Sequence, residues 1–365
     1  MSRSVRDGSG PTLIVGAGHA GIPLAWSLYL KRQPFRIISL DSGKPAWKAS
    51  AGIINPITGK RVVKSWRIDE LLPFAIARYR EIAEIMQREN AYQALPLIRY
   101  FRDDSEERER FQERCRDTEY RAYLGDQSTP DGFIISHSGW ADVSTFVKTS
   151  REFFKDRGYL SELDQPFQPS SISLESHGIR WDYALWQHIV FCEGYHGAIN
   201  PYFNWLDYRI SRGDVLDFSI NTSLPEHILN REKWLLPLSP NTGRVGSTYT
   251  WENLEDVPKT QDAVPLLEAW QDHIPDITQA QIRAHRIGIR SGTNDSKPYA
   301  GPHPSDPRFC ILNGLGSKGA SQGPWCAERL ARYLVSGEAL PKDIDPGRRL
   351  KFLKSPPPHP SEILS

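Results

Sequence analysis

Gly16, Gly18 and Gly21 share one short turn, Gly-Ala-Gly-His-Ala-Gly, and glycines at this spacing can cradle the diphosphate of a dinucleotide. The chemistry is electrostatic. Where a turn opens a helix, unpaired backbone N–H groups and the positive end of the helix dipole face an anion. Gly16 permits the tight turn, Gly18 lets the backbone approach the phosphates, and Gly21 lets the helix pack close to the preceding strand. His19 and Ala20 complete the turn and are counted among its cofactor-binding positions, His19 as a variable position rather than a catalyst. Asp41, about 20 residues beyond the turn, is expected to accept hydrogen bonds from an adenosine ribose. A carboxylate there disfavours a 2′-phosphate, because two negative charges would meet, so NADP is not expected.

The elements that must position this turn are legible around it. An apolar run from Thr12 precedes it, a helix of apolar periodicity follows, and a second apolar run ends at Asp41, giving a βαβ unit. Ser50, Ala51 and Gly52 come next, small residues that either let the backbone lie flat against a rigid ligand or form an ordinary loop. Apolar spacings of three and four predict a scaffold helix over Asp69 to Glu89, and another helix runs from Val143 to Arg157. Dense mixed charge between Arg102 and Arg121 reads as a solvated helical face. Over His188 to Gly197 a buried-type strand ends in a glycine turn, and Gly194 there is either a second place where backbone meets the cofactor or a strand exit. Tyr208 to Trp251 alternates short β-like runs, among them Val245 to Trp251, with turn signals, which predicts a mostly antiparallel sheet in a second, inserted domain. A strand over Phe309 to Asn313, the turn GLGSKGASQGP and a helix from Trp325 to Leu334 restore α/β character. The proline-rich end after Leu353 reads as a flexible tail.

Composition bounds the function. The chain has 365 residues, enough for two packed cores, and 45 Lys and Arg against 44 Asp and Glu leave a formal charge of +1. That balance lacks the basic excess of a nucleic-acid binder, so nucleic acid is disfavoured as a partner. No apolar run approaches the length of a bilayer span, and the first residues lack the apolar core of a signal peptide, so a soluble, cytoplasmic protein without a membrane partner is expected. Cys115, Cys192, Cys310 and Cys326 are too widely spaced for CxxC metal or redox chemistry and read as buried small hydrophobes. The 11 Trp residues suit a lined pocket or simply a core.

Four segments, GAGHAG with Asp41, ASAGIINP, the strand ending at Gly194, and GIRSGTNDSKPYAGPHP with GLGSKGASQGP, stand in the order found in the D-amino-acid-oxidase superfamily of FAD-dependent oxidoreductases. The chain resembles the glycine-oxidase branch and is similar to the FAD domain of the enzyme that builds methylaminomethyl-uridine in tRNA. The resemblance implies an α/β fold, α+β overall: a Rossmann-type FAD-binding domain over 8–88, 139–206 and 286–352, and a mostly antiparallel substrate domain over 89–138 and 207–285, with 353–365 as tail. It implies FAD, with Ser50, Ala51 and Gly52 along the diphosphate and ribitol, and Gly314, Gly316, Ser317, Lys318 and Gly319 near the flavin ring. Lys318 then adds charge there or is a surface lysine. Arg290 stands where amino-acid-oxidising members carry the arginine that pairs with the substrate carboxylate; the competing role is a structural tie to Asp295. Cysteine-linked members hold that cysteine near the Arg290 segment, and Gly288 to Pro298 contain none, so noncovalent FAD is expected. Ser291 departs from the glycine-oxidase pattern, which has proline there.

The implied activity is oxidation of a C–N bond in a small amine or amino acid by hydride transfer to flavin N5, the imine then hydrolysing in water, with O2 or another acceptor taking the electrons. Tyr249 and Trp251 are pocket walls or core residues. Alternatives are maturation of a modified tRNA base, a phosphate-bearing substrate, and a noncatalytic FAD-binding protein.

Overall fold

The apolar run Thr12–Val15 (β1) is buried along its whole length, and so are all but one residue of Phe35–Ser39 (β2); between them lies Gly21–Leu30 (α1). They form the βαβ unit that the sequence predicts. The computed structural model describes residues 10–40, 43–102, 105–124, 128–129, 131–254, 257 and 259–364. Asp41 and its expected ribose contact lie outside them. The described parts of 1–47, 145–210 and 290–365 make one compact unit, and those of 48–144 and 211–289 a second.

In the first unit the chain continues through Val143–Asp156 (α2), Leu160–Glu162 (β3), His188–Phe191 (β4), Tyr299–Pro302 (β5), Phe309–Asn313 (β6) and Gly319–Ser336 (α3). The strands form one sheet in the order β3-β2-β1-β4-β6-β5. Its neighbours run parallel, with Thr12 beside both Phe35 and His188, except for the antiparallel β5. Leu13, Ile14, Ile37, Ile38, Ile189 and Val190 are wholly buried because helices or further strands cover both faces of the sheet. The chain leaves β1 toward β2 and returns on its other side at β4, so a crevice opens beyond the carboxyl ends of β1 and β4. Trp26 of α1 packs between Phe153 and Phe154 and donates its indole N–H to Ser150 Oγ at 2.9 Å. That tryptophan is core, as are Trp186 here and Trp270 in the second unit.

Several segments differ from what the sequence predicts. The end of the chain is packed: Ile363 and Leu364 lie against the cluster of Phe191, Tyr202 and Phe309, and a short helix spans Pro360–Ile363. Apolar residues at the end of an otherwise polar segment find cover there. The helix read as Trp325 to Leu334 begins earlier, at Gly319, because Gly319 and Gly323 serve close packing against His19 rather than a turn. The strand read as Val245 to Trp251 is Thr242–Gly246, so Tyr249 and Trp251 lie beyond it. Their segment is held instead by Thr248, whose hydroxyl donates to Asp214 Oδ2 at 2.7 Å, and by a bridge between Arg212 and Thr250.

The second unit is built on a sheet in the spatial order 281–293, 208–219, 242–246, 234–239, 228–230, 97–100, 132–135, 128–129. From 208–219 to 128–129 its pairs are antiparallel apart from 228–230 with 97–100, in line with the sheet read from Tyr208 onward. Leu216, Phe218, Leu235 and Val245 bury one face against Leu266 and Trp270. A smaller antiparallel sheet joins Ile53–Ile54, Gly139–Ala141 and Tyr92–Ala94, which draws residues 48–88 into this unit. The scaffold helix spans Ile68–Met86 and stops where Gln87 turns left-handed at φ 52°. Within the charged segment, Ser105–Arg116 is helical, but Glu107 is buried in an ion pair with Arg99 rather than solvated. Among the described residues no helix is long and apolar enough to cross a membrane.

Candidate cofactor site

The turn between β1 and α1 is shaped by two contacts that exclude a side chain. Gly16 takes φ +108°, and a Cβ there would overlap the Cys192 carbonyl at the end of β4. At Gly21 a Cβ would overlap the Gly16 carbonyl, so helix and strand meet at glycine distance. Gly18 differs: its Cβ would meet only the Trp47 indole, at an ordinary 3.4 Å. No protein contact demands glycine at that position. The N–H groups of Gly18, His19 and Ala20 have no hydrogen-bond acceptor among the described residues, and no side chain caps α1. Three amide donors at the start of a helix, with an unobstructed approach at Gly18, fit a diphosphate.

A second helix start adjoins the first. A Cβ on Gly319, the first residue of α3, would lie 2.7 Å from His19 Nδ1. Burial pushes His19 down to about 4, so the ring is neutral, and its Nε2 has no partner among the described residues. Lys318 caps α3, partly buried, and burial lowers its pKa from the ordinary lysine value. The turn before it is fastened to the Arg290 segment: Gly316 N donates to the Ser291 carbonyl at 2.8 Å, and Gly314 and Gly316 both take positive φ. Arg290 therefore sits on the strand that this turn backs against, half-buried. Asp295, the competing partner of Arg290, is engaged by Arg348 at 3.0 Å and by Thr293 and Lys297 N. Ser291 is buried and its hydroxyl has no partner among the described residues. Ser317 is exposed.

Gly194 lies at the end of β4, where its carbonyl accepts from Asn313 Nδ2 at 2.8 Å, tying β4 to β6. It takes φ +60°, and a Cβ there would meet nothing within 4 Å.

In the second unit Gly52 has an intramolecular reason to be glycine, since it takes φ +67° and a Cβ would overlap the Ala141 carbonyl. Ser50 Oγ accepts from Gly52 N at 3.1 Å, and the Ser50 carbonyl accepts from Arg244 at 3.2 Å. Arg244 and Arg286 both pair with Asp217, at 2.6 and 2.7 Å. Burial alone would raise the Asp217 carboxyl, but the two guanidiniums outweigh it and hold the group below the usual carboxylate range. The Ser50-Ala51-Gly52 stretch is thus braced by a charge chain whose inner member, Arg244, is buried. Tyr249 and Trp251 stack on each other at 6.4 Å and are about half exposed.

Several polar residues at these sites escaped the sequence reading. Arg151 of α2 donates to Ser39 Oγ at 3.2 Å and reaches the Ala17 carbonyl, more than a hundred residues away in sequence, so no local signal marks it. Asp214 accepts from Arg212 at 2.8 Å and contacts His285 at 2.9 Å, a buried carboxylate and histidine pair brought together only by strand pairing. Trp47 stands beside Gly18. Glu193 was visible as an acid directly after an apolar strand, and Asn200 Nδ2 now donates to it at 2.6 Å.

Over 140 residues, 34% of this chain, the sequence is 26% identical to the tRNA 5-methylaminomethyl-2-thiouridine biosynthesis bifunctional protein of Marinobacter nauticus, of which the match covers 22%. Over 124 residues, also 34% of the chain, it is 27% identical to the glycine oxidase of Pseudomonas putida, with 33% of that protein covered. The chain thus matches a third or less of the length of these curated relatives. Its fold is shared with iminodiacetate oxidase from a Chelativorans species, at a TM-score of 0.71 and 19% identity over 92% of this chain and 98% of that one. Residues 12–333 match the DAO family of FAD dependent oxidoreductases, and the chain belongs to that family.

Proposed function

We propose that the protein binds FAD noncovalently and oxidises the C–N bond of a small amine or amino acid, with a carboxylate-bearing amine as the favoured substrate class. FAD, when bound, supplies the hydride acceptor. The amides of Gly18, His19 and Ala20 would hold its diphosphate, and the α3 start with Lys318 and Gly319 would place positive potential beside the flavin. The observation that carries the substrate class is the lock between Gly316 N and the Ser291 carbonyl, which seats Arg290 next to the glycine turn expected at the flavin. A guanidinium there would take a carboxylate through two charge-assisted hydrogen bonds and fix the substrate Cα–H. Glycine oxidase and iminodiacetate oxidase are named for substrates that carry both an amine and a carboxylate, which supports the same class. Deprotonated amine would enter, so no general base is required of the protein.

The test is anaerobic mixing of the yellow protein with glycine, N-substituted glycines, D- and L-amino acids and amines lacking a carboxylate, following loss of flavin absorbance at roughly 450 nm. Carboxylate-bearing amines are expected to bleach it, and Arg290→Met is expected to raise their KM at least tenfold. Bleaching only by plain amines, or an unchanged KM, would overturn the substrate class. A methylaminomethyl-uridine tRNA precursor belongs in the same panel, because one relative is a tRNA biosynthesis protein. The near-neutral charge of the chain supports the small substrate over tRNA.

A further inference from the structure

The carboxyl end of β4 carries a group that the proposed reaction does not use. Glu193 follows Cys192, whose carbonyl closes against Gly16, so its backbone lies beside the β1 turn. The neighbouring Gly194 faces open space, and Gly18 is nearly as unobstructed. Both border the crevice beyond β1 and β4, where an open sheet of this order takes its ligand. The Glu193 side chain is also oriented. Asn200 Oδ1 accepts from Tyr202 N at 2.9 Å, which fixes its amide so that Nδ2 donates to Glu193 Oε2 at 2.6 Å. Among the described residues Oε1 has no hydrogen-bond partner, and no cation pairs with the carboxyl.

We propose that Glu193 is a cofactor-holding residue that binds FAD as the neutral acid, donating a hydrogen bond from Oε1 to the diphosphate or ribose end of the cofactor. The inference rests on the FAD reading of this chain. A carboxylate held by one amide, with no cation, on a segment whose backbone lies beside the diphosphate cradle would repel the ligand; a carboxylic acid would add a donor to the amides of Gly18, His19 and Ala20. Burial pushes the Glu193 carboxyl up to about 7, against the Asn200 hydrogen bond, which favours the charged form. Cys192 and Tyr208 are raised well above their usual values by burial and stay neutral, and His19 is down at about 4. Tyr299, beyond Tyr208, donates to Asp207 and is likewise raised. His196, on the short helical turn Gly194–Ala198 after Glu193, is exposed.

Below pH 7 the acid is neutral and binding is tight; as pH rises through about 7 the cofactor must pay for a proton, and one linked proton weakens binding about tenfold between pH 6 and 8. Apoprotein titrated with FAD from pH 5.5 to 9, read by quenching of flavin fluorescence, should show that rise in Kd. Glu193→Gln, a neutral donor at every pH, should flatten the curve and bind more tightly than the natural protein at pH 8. His196→Asn should leave the curve in place. A flat curve in the natural protein, or a slope that persists in Glu193→Gln or vanishes in His196→Asn, overturns the inference. The natural protein alone reads the slope, so a poorly folding variant does not stall the test. If no FAD binds at any pH, the cofactor reading itself has failed.

Discussion

Two glycines of the same turn should behave differently when each gains a methyl group. At Gly21 the added carbon would collide with backbone, at the Gly16 carbonyl, which cannot swing aside. Gly21→Ala is expected to lower the stability of the apoprotein by about 2 kcal/mol, read as a fall in its urea midpoint. Gly18→Ala meets only an ordinary contact with Trp47, so apoprotein stability should stay unchanged while the FAD Kd rises at least tenfold. Equal effects in the two variants would remove the distinction between a glycine kept for packing and one kept for a ligand. Asp217 offers a second test at this scale, because two arginines hold its carboxyl low. A group depressed on folding contributes stability above its unfolded pKa and loses it as pH falls through the folded one. Asp217→Asn should therefore cost about 3 kcal/mol at pH 7, and the gap between variant and natural protein should close only under acid conditions, below about pH 4. Urea denaturation at pH 7 and at pH 3 reads the narrowing of that gap.

At the scale of elements, position is set by what each segment is fastened to. The last residues read as a tail in sequence, since KSPPPHPSE is polar and proline-rich, yet Ile363 and Leu364 cover the aromatic cluster of the first unit. Removing residues 353–365 should lower the thermal midpoint and increase binding of a hydrophobic dye, whereas a free tail would leave both unchanged. The charge pattern between Arg102 and Arg121 reads as a solvated helical face, and the exposed side of the helix Ser105–Arg116 agrees. Periodicity could not reveal that Glu107 turns inward onto Arg99, which also donates to the Gly59 carbonyl at 2.9 Å. Charge composition reports the sign of a face and not which member of it finds a buried partner. The same holds for Arg151, whose use at the glycine turn depends on α2 lying beside β2.

For the whole molecule, a ligand that binds the folded state alone must raise its stability. FAD at a hundredfold excess over Kd should add about 2.7 kcal/mol, seen as an upward shift of the thermal midpoint that grows with FAD concentration. The sequence by itself determined the βαβ unit, the glycine turn, the strand at Phe309–Asn313 and the antiparallel character of 208–246, because those rest on local periodicity and on backbone conformations that only glycine adopts freely. It determined the family too, through short motifs in a fixed order. Only the tertiary structure decided which glycines serve packing, that Asn200 engages one oxygen of Glu193, that Asp214 meets His285, and that Tyr249 and Trp251 leave their strand. Each of these depends on strands far apart in sequence lying side by side, and pairing between distant segments leaves no periodic trace in either one.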